Sequence, residues 1–408
     1  MDPNMPDVFM PPAEPQATAL PLASLKVLDL SRVLAGPYAG RLLSDLGADV
    51  LKIEPPEGDL TRKMGRPIGA ASSYFVQQNI GKRNICIDLK AKGAADLVLA
   101  LAAEADILIE NFRPGVMSRL GLGWEELSKA NRKLIMLSIS GFGQDGPERK
   151  RGAYAPLLHA EAGLIARQNA GMGGELRDLT VSIGDTSAAL HGVIAVLAAL
   201  RHVEHGGAGQ HIDISMLNAI HSMDDFANLA LDGEWDASHQ DRFYRFWDGP
   251  EGVQLVIAGP VAVLWRVFTE AGLIAPCDAA SGCRDQPVDF QRRKIAEFLL
   301  SFDRFGALTD TLDGLNLPWG KVRRPGHDVF DGPSINHCGV LVPVSTEQGE
   351  EALTIQSPYK YSSLNSGVQR GACLSAKGKD AGAALGDWLG YDTAIVEDLF
   401  ENGILHKG

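Results

Sequence analysis

Cysteine is scarce in this chain, with five residues among 408. They are widely scattered, with neither a CxxC pair nor the spacing of zinc ligands, which indicates reduced thiols in a cytoplasmic protein and no metal site. Long hydrophobic runs are also missing, since none approaches the roughly 18 apolar residues that a membrane-spanning helix needs. The longest apolar stretch, 194–200, is typical of a buried helix. We therefore expect no disulfide framework, no zinc centre and no membrane partner.

Positive charge is in deficit as well. The 38 Lys and Arg residues face 51 Asp and Glu, for a formal net charge of −13. Such a balance argues against a nucleic-acid partner, because that affinity depends on neutralising phosphates. Residues 1–18 are rich in proline and lack both a basic start and an apolar core, so they are neither a secretion signal nor a transit peptide. We predict a disordered tail over residues 1–20.

The chain does carry alternating strand and helix signals over its first 140 residues. The apolar run 25–30 is typical of a buried parallel strand. A helical pattern follows over 35–46, with Pro37 near its start and Gly47 after its end, and 48–53 completes a βαβ unit. Further strands are predicted at 84–88, 106–110 and 134–139, with helices at 91–103 and 124–130. This alternation predicts an α/β fold with a doubly wound parallel sheet.

The second half predicts a division into domains. A helix over 186–202, a strand at 211–214 and a helix over 216–231 continue the first pattern. The composition changes near Gly233, where tryptophans and several short helices indicate a smaller α+β domain. We predict a large domain over 21–232, a small domain over 233–335, and a segment 336–408 that returns to the large domain.

Two local features point to a ligand site. The turn Ser31–Pro37 follows the first strand and opens a helix, where free N–H groups can bind a phosphate or a carbonyl. It does not match GxGxxG, so a nicotinamide dinucleotide has no support. Nine of the basic residues in the first 120 form either a phosphate-binding patch or a solvated surface. They are Arg32, Arg62, Lys63, Arg66, Lys82, Arg83, Lys90, Arg113 and Arg119.

Asp185 directly precedes the helix predicted over 186–202. It is either a plain helix N-cap or a carboxylate whose developing oxyanion nearby N–H groups would stabilise. His202, His205 and His211 lack a carboxylate at ligand spacing, so we interpret them as surface residues rather than metal ligands. His159 and His191 lie on apolar faces and are predicted to be hydrogen-bonded core residues.

A series of motifs resembles one family in order and interval. They are LDLSRVLAGP at 28–37, LGADVLKIE at 46–54, the Gly58-Asp59 step with Arg62, the Lys82-Arg83 segment, ENFRPG at 110–115, GFGQ at 141–144, Gly184-Asp185, and Gly209-Gln210 with Met216. Over residues 22–230 the sequence thus resembles the class III CoA-transferases, such as the formyl-CoA:oxalate and carnitine enzymes.

The resemblance implies a Rossmann-like large domain, a smaller domain, and ring-shaped subunits interlocked as a homodimer. It also implies an acyl-CoA:carboxylate CoA-transferase that uses a CoA thioester as a substrate and holds no permanent cofactor. The partners would be an acyl-CoA and a small carboxylic acid. The family's catalytic aspartate falls on Asp185, which would carry an aspartyl-CoA thioester. The CoA contacts fall on Arg32, Val33, Leu34, Ala35, Ile87, Lys90, Asn111, Phe112, Arg113, Arg119, Tyr154 and Met216.

Three departures set limits on the resemblance. The Gly-rich loop of the formyl-CoA branch has no counterpart near 247–254, Ala155 replaces an acidic residue, and the C-terminal Pro-x-Leu-Gly-x-His signature is replaced by 372–377. One alternative is an α-methylacyl-CoA racemase, which needs two acid/base groups. Tyr154 stands at the racemases' histidine position, and His159 is a possible substitute. The other alternative is a non-catalytic CoA-binding protein. Arg32 could bind a second substrate carboxylate, bind a phosphate or have a structural role.

Overall fold

The computed structural model describes residues 19–169, 175–225, 227–231, 244–275, 287–347, 349–369 and 372–407. They form two compact units. The larger comprises the chain up to Asp225 and again from Asn336 onward, and the smaller comprises mainly 226–335. The predicted disordered tail lies outside the described residues apart from its last two.

The larger unit begins with strands that alternate with helices. The strands are β1 (Lys26–Asp29), β2 (Asp49–Glu54), β3 (Pro67–Ile68), β4 (Ala71–Ser72), β5 (Arg83–Cys86), β6 (Ile107–Glu110), β7 (Ile135–Ser140) and β8 (His211–Ser215). The helices are α1 (Ala35–Asp45), α2 (Ser73–Asn79), α3 (Ala94–Glu104), α4 (Val116–Arg119), α5 (Trp124–Ala130), α6 (Ala155–Glu161), α7 (Leu164–Asn169), α8 (Ile183–Glu204) and α9 (Met216–Met223).

Six of these strands form one sheet in the order β5-β2-β1-β6-β7-β8. Every neighbouring pair is parallel, with Val27 opposite both Val50 and Ile107. The predicted α/β fold with a parallel sheet is confirmed. Because all six strands run the same way, the loops that follow β1, β6, β7 and β8 meet at one edge of the sheet.

Alternate residues of the strands pack into two separate cores. Leu28, Leu51 and Leu108 point to the face covered by α3 and α5, whereas Val27, Val50 and Ile107 point to the face covered by α1 and α8. The side chains of a strand alternate between its two faces, so apolar runs in every strand require helices on both sides.

Helix α8 is apolar on more than one side. Its length and hydropathy would suffice to cross a membrane, but Ala188, Val193 and Val196 are buried against the sheet as part of the core. The predicted burial of 194–200 is only partly correct, since Ile194 is 64% exposed and Leu197 is 37% exposed. One apolar stripe of this helix therefore faces outward from the unit.

Within its described residues, the smaller unit contains a three-stranded antiparallel sheet and three α-helices. The strands are β9 (Tyr244–Asp248), β10 (Gln254–Ala258) and β11 (Trp319–Lys321), and the helices are α10 (Val261–Glu270), α11 (Val288–Leu300) and α12 (Phe305–Gly314). Its own core contains Trp247, Leu264, Trp265 and Phe268. Helix α13 (Pro333–Cys338) then crosses the sequence boundary between the two units.

The chain returns to the larger unit after residue 336. This part contains β12 (Leu341–Thr346), β13 (Glu351–Ile355), β14 (Ala372–Leu374), α14 (Ala381–Leu389) and α15 (Thr393–Glu401). Strand β12 pairs antiparallel with β13 and parallel with β14. Trp388 and Leu405 are buried in the same core as Leu28, and the Trp388 indole donates to Asp49 at 2.8 Å.

Candidate active site

Asp185 lies in the first turn of α8. The helix begins at Ile183, three residues earlier than predicted, so the N-cap position is occupied by Ser182 and not by Asp185. The backbone N–H of Ala35 donates a hydrogen bond to the Asp185 carboxylate. Burial raises the pKa of Asp185 to about 6, and this hydrogen bond acts in the opposite direction. The carboxylate is thus a partly desolvated anion at neutral pH, held at the positive end of a 22-residue helix.

The turn that supplies the Ala35 N–H has an unusual backbone. Val33 has φ of +70°, a left-handed conformation that is rare for a β-branched residue. Its N–H donates to Asp59 at 3.1 Å. The Asn111 side chain binds both backbone groups of Arg32, the residue before Val33. It accepts from the Arg32 N–H at 2.8 Å and donates to the Arg32 carbonyl at 2.7 Å. Strain of this kind persists where neighbours enforce it, and it clusters at functional sites.

Two fully buried lysines stabilise this turn through hydrogen bonds to residues in it or next to it. The Lys52 ammonium donates to the Ser31 carbonyl at 2.8 Å and lies 3.6 Å from the Asp59 carboxylate. The Lys82 ammonium donates to Asp29, at 2.8 Å, and to two further oxygens. Burial lowers the pKa of Lys82 to about 8. All three hydrogens of this ammonium are used, so Lys82 supports the structure and is not available to a ligand.

The predicted basic patch is therefore smaller than the sequence suggested. Arg62 forms two hydrogen bonds with the buried Glu54, at 2.8 and 2.6 Å. Arg83 pairs with Asp49, and with Asp387 at 2.7 Å. These arginines and Lys82 fix strands and loops within the fold.

A pocket of about 190 Å³ lies where the loops after β1, β6, β7 and β8 meet. It brings together Asp185 and eight of the predicted CoA-contact residues, namely Arg32, Val33, Ala35, Asn111, Phe112, Arg113, Tyr154 and Met216. These residues come from distant parts of the sequence, and the carboxyl edge of a parallel sheet is where α/β folds place their ligands. The pocket is therefore the candidate active site.

Four predicted contact residues do not line this pocket. Leu34 is 7% exposed, and the Ile87 side chain is fully buried in the core. Lys90 and Arg119 are exposed to solvent. The Ile87 side chain is thus enclosed by protein, whereas the two exposed cations remain accessible to phosphate groups.

The pocket also contains residues that the sequence did not predict as ligand contacts, although Pro114 and Gly141 lie in two of the family motifs. They are Pro114, Ile139, Ser140, Gly141, Arg149, Arg151 and Ala153. Gly141 is needed for close packing, because a Cβ there would lie 2.1 Å from the Ala153 Cβ. The basic run at 149–151, in a loop after a predicted strand, was the available signal for the two arginines.

His159 is buried beside the start of α8 and uses both ring nitrogens. Its Nε2 accepts a hydrogen bond from the Gly184 N–H at 3.3 Å, and its Nδ1 lies 2.8 Å from the Asp178 carboxylate. Because the amide can only donate, Nε2 carries no hydrogen and Nδ1–H donates to Asp178. Tyr154, by contrast, is 62% exposed and lines the pocket.

A second buried carboxyl group lies behind the pocket. Glu110 accepts from the Phe112 N–H at 2.8 Å, and burial raises its pKa to about 7 despite a hydrogen bond from Ser138. The Ser138 hydroxyl also contacts His211 at 2.9 Å, and that imidazole stacks on Trp124. Among the described residues, no group of three or more His, Cys, Asp or Glu could hold a metal ion.

The fold and the pocket define an α/β protein whose ligand site lies at the carboxyl edge of a parallel sheet. The sequence model of the family described as CoA-transferase family III matches residues 22–374. The succinyl-CoA:mesaconate CoA-transferase of Haloarcula hispanica is 33% identical over 359 residues, which cover 83% of this chain and 89% of that protein. The chain therefore belongs to CoA-transferase family III, a family of class III CoA-transferase enzymes, and the resemblance seen in the motifs is confirmed.

Other relatives match over a shorter length. The succinyl-CoA–L-malate CoA-transferase alpha subunit of Chloroflexus aurantiacus is 42% identical over 221 residues, 52% of this chain and 51% of that protein. The chain thus spans about half the length of several curated relatives that it matches. Among solved structures, a CaiB/BaiF family protein from Brucella suis has a TM-score of 0.76 and 29% identity. That match covers 91% of this chain and all of the other.

Proposed function

We propose that this protein is an acyl-CoA:carboxylate CoA-transferase that forms an aspartyl-CoA thioester on Asp185. The observation that carries the proposal is the position of the Asp185 carboxylate, desolvated and hydrogen-bonded to the Ala35 N–H, in a pocket with eight predicted CoA-contact residues. The names of the relatives, which describe CoA transfer between acids, support it. The substrates would be an acyl-CoA and a small carboxylic acid.

The Asp185 carboxylate begins the reaction by attacking the thioester carbonyl of the donor. The C–S bond breaks, CoA thiolate leaves, and a mixed anhydride joins the acyl group to Asp185. Thiolate then attacks the aspartyl carbonyl, which releases the donor acid as its carboxylate and leaves the aspartyl-CoA thioester. The acceptor carboxylate attacks this thioester, forming a second anhydride and thiolate. Attack of thiolate on the acceptor acyl carbonyl gives the new CoA ester and restores Asp185.

The residues around Asp185 suit this sequence of acyl exchanges. Each step exchanges one carboxylate or thiolate for another, so no proton carrier is required. The anionic form of Asp185 predominates at neutral pH because its pKa, although raised, is about 6. The Ala35 N–H would remain as a hydrogen-bond donor when negative charge develops on an oxygen of the tetrahedral intermediates.

Asp185→Asn tests the nucleophile. The variant keeps the side-chain size but removes the attacking oxyanion, so transfer should fall by several orders of magnitude. Wild-type protein incubated with an acyl-CoA and then with hydroxylamine should gain a hydroxamate at Asp185 alone, as measured by peptide mass spectrometry. Near-wild-type transfer by the variant would refute the proposal, and Asp96→Asn, which removes an exposed carboxylate from the first turn of α3, controls for a general loss of charge.

Racemisation is the alternative function, and it would require His159 to act as an acid/base group. Both ring nitrogens of His159 are engaged, by Gly184 and Asp178, inside the fold. Tyr154 offers only a phenol, and phenols as a class are weak proton acceptors at neutral pH. We therefore expect no deuterium at Cα when the enzyme is incubated with a 2-methylacyl-CoA in deuterated water. Rapid incorporation without any added carboxylate would instead favour a racemase.

We further propose that the large domain is Rossmann-like and that two ring-shaped subunits interlock as a homodimer in the cytoplasm. The outward apolar stripe of α8, formed by Leu190, Ile194 and Leu197, supports burial against a second chain. Threaded rings cannot separate without opening. Tagged and untagged dimers should therefore not exchange subunits over hours, as followed by affinity capture. A monomer at micromolar concentration would contradict the dimer.

A further inference from the structure

The first turn of α8 begins with N–H groups that the helix cannot pair with its own carbonyls. The Ile183 N–H donates to a backbone carbonyl two residues earlier, and the Asp185 N–H contacts its own side-chain carboxylate. Ser182, at the N-cap position, makes no side-chain cap. The Gly184 N–H is instead bound from another helix, since it donates to Nε2 of His159 in α6 at 3.3 Å. His159 therefore supplies the cap that the N-cap residue does not.

The Gly184 N–H lies among apolar side chains rather than in water. Gly184 is buried, and a Cβ built on it would lie 3.3 Å from the Ile220 side chain and 3.7 Å from that of Leu158. The His159 residue that accepts from it is fully buried as well. Because a buried N–H without an acceptor is unfavourable, we expect the start of α8 to shift whenever this acceptor is removed.

Asp178 determines which nitrogen of His159 is the acceptor. Its carboxylate lies 2.8 Å from Nδ1 of the imidazole. An ionised carboxylate can only accept, so it keeps the hydrogen on Nδ1 and leaves the lone pair of Nε2 directed at the Gly184 N–H. The other tautomer, or a protonated ring, would place two N–H groups against each other. The hydrogen-bonded series Asp178–His159–Gly184 thus joins α6 to the start of α8 and to the loop that leads into it.

From these contacts we propose that His159, oriented by Asp178, is a positioning residue for the reaction at Asp185. Asp185 follows Gly184 directly, and its carboxylate accepts from the Ala35 N–H of a different helix. The place of the first turn therefore decides whether the carboxylate reaches both that N–H and the carbonyl carbon that it attacks. A displacement of about 1 Å at a reacting group can lower a rate about 100-fold. This inference rests on the proposed function, because the position of Asp185 affects the rate only if Asp185 reacts.

Two amide variants separate the two hydrogen bonds of His159. In His159→Gln the side-chain oxygen can take the place of Nε2 and accept from the Gly184 N–H, whereas the shorter side chain of His159→Asn reaches only towards Asp178. Exchange of labelled succinate with succinyl-CoA, and of labelled acetate with acetyl-CoA, measures kcat and KM. We expect His159→Asn to lower kcat about 10- to 100-fold and to leave KM for the CoA ester within about 3-fold. His159→Gln should keep kcat within about 5-fold of the wild type. His202→Leu, at an exposed histidine in the last turn of α8, is the control and should match the wild type.

Amide hydrogen exchange, followed by mass spectrometry of the peptides that contain Gly184, tests the contact without relying on activity. The Gly184 amide should exchange at least about 10-fold faster in His159→Asn than in the wild type or His159→Gln, while amides in the second half of α8 keep their rates. If His159→Asn does not fold, Asp178→Asn is measured instead, because an amide can pair with either tautomer of the ring and should lower both the protection and kcat.

A purely structural role for His159 would lower the activity of the two amide variants in parallel with their stability, as measured by urea unfolding. Equal losses of kcat in His159→Gln and His159→Asn would therefore overturn the proposal, and so would unchanged protection of Gly184 in His159→Asn. Transfer that is lost in Asp185→Asn but retained in full by His159→Asn would refute this inference alone. Transfer retained by Asp185→Asn, or no exchange by the wild type, would refute the proposed function as well.

Discussion

Replacing Asp185 should make the protein more stable at neutral pH while it abolishes transfer. Burial raises the pKa of this carboxyl from 3.8 to about 6, so the folded state resists ionising it. An acid with a raised pKa contributes stability that is present below its unfolded pKa and is lost as the pH rises through its folded pKa. Ionised Asp185 therefore destabilises the fold above pH ~6.

The expected change in the free energy of unfolding follows from the size of the pKa shift of Asp185. At 1.36 kcal/mol for each pH unit, a shift from 3.8 to about 6 corresponds to at most about 3 kcal/mol. Asp185→Asn keeps an oxygen that can accept from the Ala35 N–H but carries no charge to desolvate. We expect it to raise the free energy of unfolding by about 1 to 3 kcal/mol at pH 7.5, and this gain should disappear near pH 4.

Urea unfolding at several pH values between 4 and 8 measures this difference. Asp96→Asn is a suitable control, because Asp96 also lies in the first turn of a helix, α3, but is exposed. The control should change stability much less than Asp185→Asn does at pH 7.5, because an exposed carboxylate stays solvated in the folded protein. If Asp185→Asn were less stable than wild type at pH 7.5, or equally shifted at every pH, the desolvation argument would be refuted.

Three further predictions concern the same site. The kcat/KM for acyl-CoA should fall about tenfold per pH unit below pH ~6, because protonation removes the Asp185 nucleophile, and a flat profile would contradict this. Lys52→Met leaves the Asp59 carboxylate buried without its cation, so urea unfolding should show a loss of about 3 kcal/mol or more, and a neutral effect would contradict the ion pair. Val33→Gly removes a strained side chain and should cost less than ~1 kcal/mol, whereas Val50→Gly in the buried strand β2 should cost at least ~2 kcal/mol. Equal losses would show that Val33 is not strained.

Four strands of the large sheet, β1, β2, β6 and β7, could be predicted because each is a short, largely apolar and buried run. The predicted bounds of β1, β2, β6 and β7 lie within about a residue of those observed. The ends of the helices were harder to predict than those of the strands. The start of α8 was placed three residues late because Ser182 makes no side-chain cap and Gly184 lies in the first turn. The helix predicted over 216–231 ends at Met223, since packing rather than composition decides where it stops.

The members of the active-site pocket could be predicted only through the family motifs, because they come from four separate loops. The buried ion pairs that support the pocket could not be predicted from the sequence. Lys82 pairs with Asp29, 53 residues away, and no local pattern distinguishes this lysine from a ligand-binding one. Arg32 remained ambiguous in the sequence for the same reason.

The return of the chain after residue 336 has a consequence for synthesis on the ribosome. The core face of the sheet that contains Leu28 and Leu108 is completed by Trp388, Val396 and Leu405. At 5 to 20 residues per second, the last strand of the sheet, β8, is finished roughly 10 to 40 s before Leu405 is added. During that interval α3 and α5 can cover this face, but the part that Trp388, Val396 and Leu405 cover remains open on the nascent chain. The order of synthesis therefore leaves this core incomplete until residues 388–405 have been made.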